Sequence, residues 1–200
     1  MSVAVITYYD LSMARWEPDS RGRLEQAALA LYGERGFDNT TVAEIAQRAG
    51  LTERTFFRYF ADKREVLFWG ARDLQEFLVS AVADAPQSAQ PLAAITAGLE
   101  AASSLFQERR ESARQRQAVI AANAELQERE LIKLASLAAA LAEALRRRGI
   151  KDPAATLSAE AGITVFRIAF DLWVNETNRK DLSQLITESV DQLKAVVNDT

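Results

Sequence analysis

Arg48 to Leu67 reads RAGLTERTFFRYFADKREVL, with four aromatic and five basic side chains in twenty positions. Rings and guanidinium groups at this density suit a surface that meets nucleic acid. Arginine can hold phosphate oxygens or donate two hydrogen bonds to guanine, and a ring can rest on a thymine methyl. From Arg48 to Arg64, five basic residues stand against Glu53 and Asp62, a local balance of +3. Residues 69–200 carry 15 basic and 18 acidic side chains, so positive charge is gathered where a phosphate backbone could lie.

The chemistry that is missing narrows the field further. The 200 residues include no cysteine and no histidine. That removes disulfides, the usual zinc ligands, Ser-His-Asp and Cys-His nucleophiles, and the commonest general base near neutral pH. No metal site or cofactor is expected, and the chain is not expected to be an enzyme. A helical enzyme would have to use carboxylates such as Glu160 and Asp171, whose spacing suggests neither a metal nor an acid–base pair. A helical adaptor is a further alternative.

Hydrophobic residues at 48% and charged residues at 26% are ordinary for a folded chain. The length fits one domain, or a small module joined to a larger one. The opening MSVAVITYYDLSMARWEP lacks the basic start and small-residue cleavage site of a signal peptide. Residues 1–18 are read as an N-terminal arm, disordered or, as far as Met13, an artefact of the start site. No run approaches the roughly 18 apolar residues of a membrane span, so the expected location is the cytoplasm, with no membrane partner.

The elements that must position the basic stretch read as helices throughout. Pro18, Pro86, Pro91 and Pro153 fall between periodic segments, and no alternating strand pattern occurs, which makes the fold class all-α, with about nine helices. Arg21 to Arg35 presents Leu24, Ala27, Ala28 and Leu31 on one face before Gly36 stops it. Thr41 and Glu44 form a capping box that opens a short second helix, which Gly50 ends. Thr52 caps a third helix to about Phe60, and Asp62 to Glu65 forms a second box that should start a long fourth helix carrying Leu67, Leu74, Phe77, Leu78 and Ala81 inward.

After the break at DAPQSAQP come a helix from about Leu92 to Gln107, a polar stretch around Glu108 to Gln117, and a long helix from about Ala124 to Arg148. Arg146, Arg147 and Arg148 in its last turn oppose the helix dipole. The penultimate helix carries Ile163, Phe166, Phe170 and Trp173 on one face and Val165, Ile168, Ala169 and Leu172 on another. A helix apolar on most sides is buried on most sides, and a second copy of the chain is the expected cover. With the stripe Leu182, Leu185, Ile186, Ser189, Val190, Leu193, Val196 and Val197 beside it, the last two helices suggest a four-helix homodimer interface.

A short helix, a turn at Gly50 and Leu51, and a second short helix after a threonine cap form a helix-turn-helix pattern, whose second helix enters the major groove. The segment GERGFDNTTVAEIAQRAGLTERTFFRYFADKREVL within Arg21 to Leu67 resembles the DNA-binding domain of the TetR family of bacterial transcriptional regulators. Gly36-Phe37, Thr41, Ile45-Ala46, Gly50-Leu51, Thr55 and Tyr59-Phe60 before Lys63 carry the resemblance. It implies that Thr41, Thr55, Tyr59 and Lys63 touch phosphates, while Glu53, Arg54, Phe57 and Arg58 face base edges and Arg48 adds charge to the same surface. Many members of the family have tyrosine where this chain has Phe57, so only apolar contact remains there.

The resemblance further implies three divisions: the arm at 1–18, a DNA-binding domain at 19–66, and an effector-binding and dimerisation domain at 67–200. It implies a homodimeric repressor, bound to a palindromic operator in double-stranded DNA and released by a small-molecule effector. The alternative is a DNA-binding regulator with no such effector, controlled by abundance or a protein partner. Phe106, Phe166, Arg167, Phe170, Asp171 and Trp173 are the candidate effector contacts; core packing, dimer contact and an Arg167–Asp171 ion pair are their structural alternatives.

Overall fold

The computed structural model describes residues 20–175 and 177–198, so the arm at 1–18 lies outside the described residues. Nine α-helices and no strands occur among them: α1 (Ser20–Arg35), α2 (Val42–Arg48), α3 (Glu53–Tyr59), α4 (Ala71–Asp84), α5 (Pro91–Ser103), α6 (Arg110–Ala121), α7 (Ala124–Arg147), α8 (Ala154–Val174) and α9 (Leu182–Asn198). The chain divides into two compact units between Leu67 and Phe68.

The first unit is built on Leu24, Ala28 and Leu31 of α1, which meet Ile45 and Ala46 of α2 and Phe56 of α3 in a fully enclosed core. Phe37, Phe60, Val66 and Leu67 complete it. Tyr32 donates its hydroxyl to the Lys63 carbonyl at 2.6 Å, which ties the end of the unit to α1. Burial pushes the Tyr32 phenol well above its ordinary range, with the Asp62 charge adding to the effect.

The expected long fourth helix is corrected here. Asp62 does cap, accepting from the amides of Arg64 and Glu65 at 2.8 and 3.1 Å, but it opens only a 3-10 turn at Glu65–Leu67. Val66, Leu67 and Phe68 are all buried in succession, which a single helix face cannot provide, so the chain turns and α4 begins after Gly70. Leu67 therefore belongs to the first unit, while Phe68 lies in the second under the Arg116 and Lys133 cations at 5.1 and 5.6 Å.

The second unit packs α8 against α5, α7 and α9, with α4 lying on α5 and α7. The stretch read as merely polar around Glu108 to Gln117 is largely helical: α6 buries Ala113, Val119 and Ile120 and pairs Arg114 with Glu111 along its exposed side. Its charged composition hid a narrow apolar stripe. Arg148 does more than oppose the α7 dipole, since its guanidinium reaches the Val82 and Pro86 carbonyls at the end of α4, at 3.1 and 2.6 Å.

Helices α5 and α8 approach closely at Gly162, where a Cβ would stand 2.6 Å from Ile95 Cγ2 of α5. Gly162→Ala is expected to force the helices apart and cost about 1–3 kcal/mol, read as a lower midpoint in urea unfolding. Ile95→Ala removes the clashing methyl, so the same glycine change should cost much less in that background.

Candidate nucleic-acid interface

Three local devices shape the α2–turn–α3 unit. Thr41 and Glu44 form the expected capping box: the Glu44 amide donates to Thr41 Oγ at 3.3 Å, and the Thr41 amide and hydroxyl donate to the Glu44 carboxylate at 2.9 and 2.8 Å. The other Glu44 oxygen takes Arg35 of α1 at 2.7 Å, so one carboxylate fixes where α2 starts relative to α1. Hydrogen bonds from Thr41, with smaller help from Arg35, hold that carboxyl below its usual range.

At the turn, Gly50 adopts φ +67°, where its amide donates to Gln47 and the Leu51 amide to Ala46, at 3.0 and 2.8 Å. This paired closure needs a left-handed residue at its corner, which is why glycine stands there. Thr52 then caps α3 by accepting from the Thr55 amide at 3.2 Å.

These caps orient α3. Phe56 and Phe60 are locked into the core at 0% and 2% exposure, while Phe57 and Tyr59 stand out at 55% and 40%. Glu53, Arg54, Phe57 and Arg58 therefore form one solvent face, at the i, i+1, i+4, i+5 positions of a helix. Arg58 lies over the Tyr59 ring at 4.8 Å and donates to its hydroxyl at 2.9 Å, so the two move as one unit. Thr55 is half-buried at the edge of this face.

Two of the expected contacts are engaged elsewhere. The Lys63 ammonium donates to the carbonyls of Phe37, Asp38 and Thr40 at 2.9, 3.3 and 2.9 Å and sits 4.4 Å from the Phe37 ring. It buckles the loop that leads to Thr41, and it does not open a fourth helix. Arg48 makes a two-pronged ion pair with Glu34 of α1 at 2.6 and 2.7 Å. Neither arrangement has a sequence signal, because the partners lie 23 to 26 and 14 residues away.

In the second unit, Phe106, Phe166, Phe170 and Trp173 do come together, with ring centroids 5.6 to 6.3 Å apart. Arg110, which sequence reasoning missed, lies 5.7 Å from the Trp173 ring and donates to the carbonyls of Asn175 and Asn178 beyond the end of α8. Arg167 and Asp171 are not part of this cluster; both are exposed on another side of α8. Partial loss of water around its carboxyl raises Asp171 despite the opposing Arg167 charge, and Glu130 adds to the rise. Among the described residues no group of side chains could hold a metal ion, and no helix is long and apolar enough to cross a membrane.

A capped helix pair that presents a basic and aromatic face defines a helix-turn-helix DNA-binding protein. Residues 25–68 match the model of bacterial regulatory proteins of the tetR family, and residues 89–198, more than half of the chain, match that of the MftR C-terminal domain. The chain belongs to the TetR family of DNA-binding transcriptional regulators. The regulator TcmR of Streptomyces glaucescens is 34% identical over 82 residues, which cover 41% of this chain and 36% of TcmR. The repressor KstR2 of Mycobacterium tuberculosis is 36% identical over 73 residues, 36% of each chain. The chain thus spans about a third of the length of these curated relatives. Among solved structures, a SmeT–triclosan complex is similar with TM-score 0.64 at 20% identity, covering 90% of this chain and 91% of that one. SmeT is the repressor of a multidrug efflux pump of Stenotrophomonas maltophilia. Thermus thermophilus FadR in complex with lauroyl-CoA has TM-score 0.52 at 23% identity, covering 86% of this chain and 92% of that one.

Proposed function

We propose that the chain is a homodimeric repressor that reads a palindromic operator through α3 and is released by a small apolar effector, acting in the cytoplasm. The carrying observation is the solvent face of Glu53, Arg54, Phe57 and Arg58 on a helix whose back is locked by Phe56 and Phe60. Arg54 and Arg58 suit guanine edges, Phe57 suits a thymine methyl, and Glu53 suits a cytosine amino group. Thr41, Thr55 and Tyr59 fit phosphate contacts. Lys63 and Arg48 serve that surface by holding its loop and its first two helices in place.

Dimerisation is supported by Leu157, Ile168 and Leu172, which leave one side of α8 apolar and exposed at 65%, 44% and 45%. By contrast, the first part of the α9 stripe is used within the chain: Leu182, Leu185, Ile186 and Val190 are buried against α5 and α8, while Val196 and Val197 at its end are exposed. Arg167 and Asp171 border the exposed side of α8 and fit contacts with the second copy better than contacts with an effector.

The effector reading leans on the neighbours that hold triclosan and lauroyl-CoA, and on the rings of Phe106, Phe166, Phe170 and Trp173 as an apolar site. Release requires that the effector bind the DNA-incompetent state more tightly. One observation favours the reading without an effector: the four rings occupy each other's space at contact distances.

The test is selection of bound duplexes from a random-sequence pool by the purified full chain at near-physiological salt. An enriched palindrome is expected, and it provides the probe for screening effectors by DNA release. A folded protein that enriches no sequence would overturn the operator reading.

A further inference from the structure

We propose that a second copy docks antiparallel on α8, with the two-fold axis between Thr164 and Val165 and with Glu160 of each copy paired to Arg167 of the other. The inference rests on the homodimer reading above and specifies how one copy recognises the next. The outer face of α8 is divided lengthwise. Helical spacing places Leu157, Ala161, Ile168 and Leu172 along one flank, and Glu160, Thr164, Arg167 and Asp171 along the other. All of these are exposed except Ala161, which is half-buried.

The apolar flank has the same spacing from either end: Leu, three residues, Ala, six residues, Ile, three residues, Leu. Turned antiparallel about its midpoint, it sets Leu157 against Leu172 and small Ala161 against bulky Ile168, each contact occurring twice. In that arrangement like flanks meet, so the apolar sides close on each other and the charged sides face each other. A parallel pair would lay the apolar flank of one copy on the charged flank of the other. Charge then decides the register on the second flank, as flanking charges do in paired helices. Glu160 and Arg167 are centred within one residue of the same midpoint, which leaves them about 3 Å from facing each other along the axis, a gap their side chains span. Within one chain they lie about two turns apart, and neither makes a hydrogen bond or an ion pair among the described residues. Asp171 is the other acid of that flank. Pairing it with Arg167 would centre the contact on Ala169 and run Leu157 past the end of the partner helix at Val174.

The test uses the full chain with Arg167→Glu, with Glu160→Arg, and with both, in sedimentation velocity over a dilution series. Circular dichroism checks that the helix content is unchanged. Each single reversal places like charges at both contacts and should raise the dimer dissociation constant by about tenfold to a hundredfold. Mixing the two single variants restores opposite charges at both contacts, and the doubly reversed chain does so by itself, so both should return to wild-type affinity. Charges that act only within their own helix would give no recovery on mixing. Single variants that dimerise like wild type, or a mixture without recovery, would overturn the pairing and leave the homodimer reading standing. Rescue of Arg167→Glu by Asp171→Arg in place of Glu160→Arg would overturn this register in the same way. A wild-type chain that sediments as a monomer at every concentration would overturn the homodimer reading, and this inference with it.

Discussion

Changing Ile168 and Leu172 together to glutamate is expected to yield a folded monomer that has lost operator binding by about two to four orders of magnitude, the gain usually supplied by joining two recognition modules. Both side chains are nearly half exposed on α8, so glutamate there keeps its water in the single chain and the helix content should be unchanged. In an isologous dimer the same face meets itself, and four new carboxylates would be enclosed next to the existing Asp171 of each copy. Unpaired charge enclosed in this way costs several kcal/mol, enough to separate the protomers at micromolar concentration. Sedimentation velocity and far-UV circular dichroism read the two parts separately. A dimer that survives both substitutions would move the interface off this face of α8.

Arg54→Ala should have the next largest effect, and its character matters more than its size. Arg54 stands on the solvent face of α3, so its loss should relax preference at one base pair per half-site, by about 1–3 kcal/mol, and leave the rest of the operator pattern intact. Lys63→Met provides the contrast. It leaves three backbone carbonyls without their donor, so it should lower the stability of the first unit by about 1–3 kcal/mol while the selected sequence stays the same. Selection from a random pool with each variant, alongside thermal unfolding, distinguishes a reader from a buckle. If both variants lost affinity equally on every sequence with unchanged stability, the division between them would be wrong.

The stability of the first unit should also follow its carboxylates into acid. Burial raises the Asp62 carboxyl, but the Arg64 guanidinium and the amides of Glu65 and Arg64 outweigh it and hold the group below its usual range. A depressed carboxylate stabilises the fold above its unfolded value, and the contribution is lost as pH falls toward the folded one. Asp62→Asn should therefore flatten the acid limb of the unfolding curve measured by circular dichroism.

Some of this architecture was legible because its causes are local. The Thr41–Glu44 box, the Gly50 corner and the Thr52 cap each act within three or four residues, so spacing alone announces them. Helical spacing places Phe56 and Phe60, at i and i+4, on the one buried side of short α3 and leaves Phe57 and Tyr59 off it. Absent cysteine and histidine likewise narrowed the chemistry before any fold was known.

What only the tertiary structure decided involves partners far apart in the chain. The Asp62 cap read correctly as a start signal, yet Val66, Leu67 and Phe68 had to be buried consecutively, and packing overruled the helix. Lys63 and Arg48 read as free cations, and they are bound to carbonyls and to Glu34 across loops no spacing rule spans. Arg110 and Arg148 close the ends of helices 62 to 68 residues away. The two apolar sides of α8 looked alike in sequence, but Val165 and Ala169 of the second side join Ile163, Phe166 and Trp173 of the first in the core, and only Ile168 and Leu172, with Leu157, meet solvent. Periodicity specifies which residues share a helix face, because that is backbone geometry. Which face a neighbour covers, and which charge finds a counterpart, is determined by how the helices pack.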